Sequence, residues 1–165
     1  MKLRQWLEKW GMTGLKINLG FMESEWEPQD PDRNAAWELY IELLTRIATQ
    51  PLPMDRGDEE TALESVHSLF SLTRDILKRH GKYTTQFAKV AIPVLNQTIR
   101  PFTAKWHRIS LAGGLKNQES QKEFRRELET LQTALRRYTT ALADMAGVED
   151  LTALEQEKTD AGGNH

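Results

Sequence analysis

Arginine and histidine recur together at near-helical spacing in the middle of this chain. Arg74 precedes His80 by six positions, and Arg100 precedes His107 by seven. An imidazole titrates near neutrality and so moves protons, while a guanidinium presents a rigid fork of donors that fits phosphate oxygens. A row of such cations with exposed amides can hold phosphates. Glu64 and His67 form one copy of the carboxylate–imidazole pair found in four-helix di-metal sites. Such a site needs a second copy, and the chain has none, so neither a metal nor any other cofactor is expected. Nucleophile elbows, phosphate-binding glycine loops and dinucleotide fingerprints are likewise missing from the sequence.

Both Arg…His spacings resemble the Arg-x(4–6)-His motif of the HEPN ribonucleases, which are also small helical bundles. The resemblance implies metal-independent RNA cleavage, with His80 or His107 as acid/base and Arg74 or Arg100 on the phosphate. It covers one motif only. The polar residue that the family carries after its arginine is matched by Asp75 and departed from at Pro101. The family's activity usually needs the motif paired across a dimer.

His80, Arg100 and His107 lie in an unusual electrostatic setting. Between Asp75 and Glu119 there is no acidic residue, yet there are Lys78, Arg79, Lys82, Lys89, Arg100, Lys105, Arg108 and Lys116. The whole chain carries a formal net charge of −2, so this is a local basic island whose field an anionic partner would feel. On a helix, Lys89, Pro93, Asn96, Arg100 and His107 share one side. Lys105, Trp106 and Arg108 belong to the same basic and aromatic segment. Lys89, Asn96, Arg100, Lys105, Trp106, His107 and Arg108 are thus the candidate binding residues, with an affinity that falls with salt. The competing expectation is that these cations pair with Glu38, Glu42 or the acids around Glu59 on neighbouring helices.

The elements that carry these residues read as helices. Leu3, Trp6, Leu7 and Trp10 have helical spacing, stopped by Gly11. Residues 15–26 fit either period, and a lone strand would have nothing to pair with, so helix or irregular packing is expected. Asp30 reads as the cap of a helix to about Gln50, with Pro31 at its first position. Its apolar residues cover most of its girth, so it should be central. Asp58 caps the next helix, which ends at Lys78-Arg79-His80-Gly81 with cations on the dipole. A segment from Thr84 to Ser110 is interrupted by Pro93 and Pro101, each of which predicts a kink. Ser120 and Glu123 read as a capping box. Phe124, Leu128, Leu131, Leu135, Tyr138, Leu142 and Met145 then form a heptad-like seam suited to a bundle or a dimer. Val148–Leu154 adds a short helix.

Composition sets the frame. The 165 residues make one domain with an adequate core, and the absence of cysteine excludes disulfides and thiolate chemistry. Glu8 and Lys9 break any leader-like apolar run, and no stretch approaches a membrane span. The expectation is a cytoplasmic protein that does not enter a membrane. Trp6, Trp10, Trp26 and Trp37 crowd the N-terminal quarter, where they either pack on the domain or anchor a partner. Asp32-Arg-Asn-Ala-Ala-Trp-Glu-Leu-Tyr and Ile99-Arg-Pro-Phe resemble small uncharacterised helical proteins of bacteria, which implies a bacterial origin and no particular activity.

The reading is therefore all-α: a single-domain bundle of four to five helices, one of them proline-interrupted. It spans 1–157, with a Trp-rich segment at 1–29 packed on it and a disordered tail at 158–165. The expected role is non-enzymatic: an interaction or regulatory module that binds a protein partner or itself. The alternative is an RNA-binding or HEPN-like RNA-cleaving domain.

Overall fold

A computed structural model describes residues 1–53 and 58–155. The expected tail lies outside them, as does the end of the expected 1–157 domain. The described residues form an all-α fold with one core cluster and no strand beyond an isolated bridge between Lys2 and Glu25. The elements are α1 (Leu3–Lys9), α2 (Leu19–Met22), α3 (Asp30–Leu44), α4 (Glu59–His80), α5 (Thr85–Pro93), a π-helical stretch (Val94–Ile99), α6 (Arg100–Leu111), a 3₁₀ turn (Gly114–Lys116) and α7 (Gln118–Ala146). Six of the helices have seven or more residues. The count exceeds four to five because the proline-containing segment splits into α5 and α6. None of the helices is long and apolar enough to cross a membrane.

Helix α7 runs the length of the molecule against α3, and its seam faces inward. Phe124, Leu128, Leu131, Leu135, Tyr138, Leu142 and Met145 are all buried in the protein's own core, so the seam is consumed within the chain. Asn117 rather than Ser120 starts this helix, its side chain accepting from the Glu119 amide at 2.8 Å. Gly147, at φ +72°, ends it. The residues after it make turns instead of the expected short helix, held where the Leu151 amide donates to the Tyr40 hydroxyl.

Helix α3 stops at Leu44, short of Gln50, and the side chains explain it. Thr45 and Thr49 donate to carbonyls within the last turn, and Gln50 donates to Leu44 O at 2.9 Å. From α7, Gln132 takes the Ile47 and Gln50 carbonyls at 2.7 Å each, and Arg136 takes that of Thr49 at 3.1 Å. Those carbonyls are satisfied without the helix continuing. The cap also shifts by one residue: Gln29 is the N-cap and Asp30 the first helical residue. Cover is incomplete as well, since Trp37 and Ile41 remain 44% and 38% exposed.

Of the tryptophans, Trp6 stacks on Trp26 at 4.4 Å, and both are buried. The indole N–H groups of Trp6 and Trp10 both donate to Asp144 Oδ2 of α7, at 2.7 and 3.3 Å. These rings fasten the N-terminal segment to the bundle. Between α1 and Asn18 the segment is irregular, and the alternation at 15–21 is packing of Leu15 and Ile17, not a strand.

Candidate anion site

Proline builds the carrier of this site. Pro101 has no N–H for the carbonyl four residues earlier, and its ring crowds that carbonyl. Between Pro93 and α6 the backbone widens into π turns over Val94–Ile99. Arg100 opens α6 from this stretch, with Asn96 Oδ1 accepting from its Nε and Nη2 at 3.3 and 3.1 Å.

Helix α6 packs along α4, and the register brings His67, Phe70 and Arg74 of α4 together with Arg100 and His107 of α6. The His67 and His107 rings lie 4.6 Å apart, and His67 also lies 5.7 Å from Phe70. The Arg100 guanidinium sits over Phe70 at 4.7 Å, and that of Arg74 at 5.9 Å. Both arginines are exposed and neither makes an ion pair among the described residues. The ring quadrupole holds both charges, Asn96 also holds that of Arg100, and among the described residues no carboxylate pairs with either. His67 is drawn below the usual histidine range, first by burial against its neighbours and then by His107, Arg74 and Arg100. Neutral His67 can accept a proton or a hydrogen bond at neutral pH. No group of three or more potential metal ligands occurs among the described residues.

The other candidates go elsewhere. Lys105 donates to Glu123 and Glu127 of α7, at 3.0 and 2.8 Å. The expected neutralisation by neighbouring acids thus occurs there, though through acids of α7 and not Glu38, Glu42 or Glu59. Lys89 reaches Ser24 Oγ and Gln86 Oε1, both at 3.2 Å, and faces the N-terminal segment. Trp106 is wholly buried, so it cannot contact a ligand. Arg108 is exposed and makes no ion pair among the described residues.

His80 and Arg74 have different partners. His80 Nε2 lies 2.8 Å from Glu38 Oε1 of α3, with Arg79 on the other carboxylate oxygen, while Arg74 lies over the Phe70 ring. Glu59, from the same helix's first turn, is paired with Arg125 at 2.8 Å.

Arg79 above all, with help from His80, holds the Glu38 carboxyl below the usual range and outweighs burial, which acts the other way. A depressed carboxylate stabilises above its unfolded-state pKa and stops doing so as pH falls through the folded one. Glu38→Gln is therefore expected to lower stability at pH 7 by no more than about 1 kcal/mol, given the exposure of the pair. The gap to the unsubstituted protein should close below about pH 4. Urea midpoints at pH 7 and pH 3 measure it, and an equal gap at both would refute the assignment.

Sequence reasoning missed His67 as a partner of His107, reading it only beside Glu64. The signal was available: His67 and Arg74 have the same seven-residue spacing as Arg100 and His107, so two antiparallel helices can match them crosswise. No family model, curated protein or solved structure matches this chain.

Proposed function

We propose that the protein is a non-enzymatic interaction module that binds RNA, or another phosphate-bearing strand, on the exposed face between α4 and α6. The observation that carries this reading is the pair Arg74 and Arg100. Two guanidinium groups flank one phenyl ring with no carboxylate to neutralise them among the described residues. Arg108 extends the charge along α6. Guanidinium groups bind phosphate in a two-pronged way, and desolvation costs less for them than for an ammonium. Self-association through the α7 seam finds no support, because those side chains lie in the core.

Binding of a labelled single-stranded RNA, followed by anisotropy across salt concentrations, tests the reading. Arg74→Gln with Arg100→Gln is expected to weaken binding at least tenfold at low salt. It should also flatten the log–log salt slope by about 1–2, since each arginine that neutralises a phosphate accounts for about one unit of slope. Lys105→Gln is expected to change little, because Glu123 and Glu127 already hold that charge. RNA that binds equally well to the double variant, or not at all to the unsubstituted protein, defeats the proposal.

A second reading is favoured by the His67–His107 contact. Metal-independent RNA cleavage needs one imidazole to take the proton of the attacking 2′-hydroxyl and another to protonate the departing 5′-oxygen. A neighbouring arginine then stabilises charge on the phosphate. Arg100 and His107, one of the HEPN-like pairs, belong to this cluster, whereas His80 does not. The same RNA incubated with EDTA separates the readings. Fragments that disappear with His107→Ala and with His67→Ala support cleavage, and intact RNA supports binding alone.

A further inference from the structure

A second place on the molecule has the makings of a ligand site, independent of the α4–α6 face. A pocket of about 200 Å³ lies between the loop after α1, the π-helical stretch and α7. Its walls are apolar, from Met12, Leu15, Val94 and Leu135, and its polar lining includes Arg137 and Tyr138. Among the described residues no acidic side chain lines it.

The loop is fixed, so the pocket is preformed. Gln97 Oε1 accepts from the Lys16 amide and Gln97 Nε2 donates to the Lys16 carbonyl, both at 2.8 Å. The π turns present Gln97 to this loop. Gly11, at φ +69°, makes the tight turn after α1, and the Arg137 stem passes within 3.5 Å of where a β-carbon would stand.

Tyr138 supplies the pointer to a ligand. Its side chain is only 4% exposed, and its hydroxyl makes no hydrogen bond among the described residues. The only side-chain polar atom sealed from solvent and unpartnered among them is Trp106 Nε1. The Tyr138 hydroxyl is therefore not sealed, and Tyr138 is one of the residues that line this pocket. Burial pushes that hydroxyl far above the ordinary tyrosine range, so it remains a donor. Arg137 makes no ion pair among the described residues and offers a cation at the same site.

We propose that this pocket binds a small monocarboxylate with a compact apolar body, its carboxylate oxygens taking the Tyr138 hydroxyl and the Arg137 guanidinium. The volume admits a guest about the size of a benzene ring, since a cavity of roughly 150 Å³ already does. A neutral guest of the same shape leaves Arg137 unanswered. A larger anion, such as a nucleotide, exceeds the space.

Benzoate titrated into the full chain and followed by amide chemical shifts tests the proposal. The expected result is a dissociation constant below about 5 mM, reasonable for a nine-heavy-atom ligand. The shift footprint should fall on Gly11, Gly14, Thr98 and Ala134. Benzamide is expected to bind about tenfold more weakly. Arg137→Met and Tyr138→Phe should each weaken benzoate about tenfold, the loss expected for one hydrogen bond to a charged group. Both variants retain the apolar core, and their own spectra report whether they fold. The proposal is overturned by benzoate that does not bind, by benzamide binding equally well, by insensitivity to both substitutions, or by a footprint on α4 and α6.

Discussion

Trp106→Ala is expected to cost about 3–5 kcal/mol of unfolding free energy, the range for removing a large aromatic side chain from a packed core. Trp106 has no exposed surface, and its ring meets Phe124 edge-on at 5.2 Å. Phe102 lies 5.4 Å from the same phenylalanine, so the three rings close the contact between α6 and α7. Trp106→Phe should behave differently. The indole N–H has no partner among the described residues, and an unsatisfied buried donor costs about 1–3 kcal/mol. Phenylalanine removes that penalty while leaving a smaller void, so the two effects offset and the loss should stay below about 2 kcal/mol. Urea denaturation of both variants reads the difference. RNA affinity of Trp106→Phe should equal that of the parent, because the ring supports α6 from below and touches no ligand. A large affinity loss without a stability loss would return Trp106 to the binding surface.

Trp106 also illustrates what the sequence could and could not reveal. Its basic neighbours in the sequence group it with the binding residues, yet the helix turns it wholly inward. The long helices were legible because apolar spacing and caps agree, as in α4 with Asp58 at one end and Gly81 at the other. Boundaries set by tertiary partners were not legible. Nothing local says that Gln132 and Arg136 will take the carbonyls past Leu44 and let α3 end early. The fate of each cation was hidden for the same reason. Lys105 is answered from α7 and Arg79 from α3, while Arg74 meets a phenyl ring and Arg100 the same ring and the Asn96 amide oxygen, neither of them a carboxylate. Charge along the chain identifies the basic island. Which cations stay available depends on contacts between helices far apart in sequence.

Asp32→Ala should be the most damaging change to the carrier of the candidate site. Asp32 is only 1% exposed, and both carboxylate oxygens are engaged. Oδ2 accepts from the Gln29 amide at 2.8 Å, closing the first turn of α3, and Oδ1 accepts from the Phe87 amide at 2.9 Å in α5. One carboxylate thus satisfies the starts of two helices and ties α5, which leads into the π stretch and α6, to the central helix. A hydrogen bond to a charged group contributes about 1.5–3 kcal/mol, and the buried Phe87 N–H would lose its partner altogether. The favourable interaction of the carboxylate with the α3 dipole disappears as well. The sum is a loss of about 3–5 kcal/mol, a large share of the stability of a domain this size. Asp32→Asn keeps one acceptor but turns an NH₂ toward the other amide, so an intermediate loss of about 2 kcal/mol is expected. Hydrogen exchange separates this from general destabilisation. At equal global stability, set by adding urea to the parent, the Phe87 amide should exchange faster in Asp32→Ala than in the parent, because its acceptor has gone. Equal Phe87 exchange under those matched conditions would mean that Asp32 does not clasp α5 to α3.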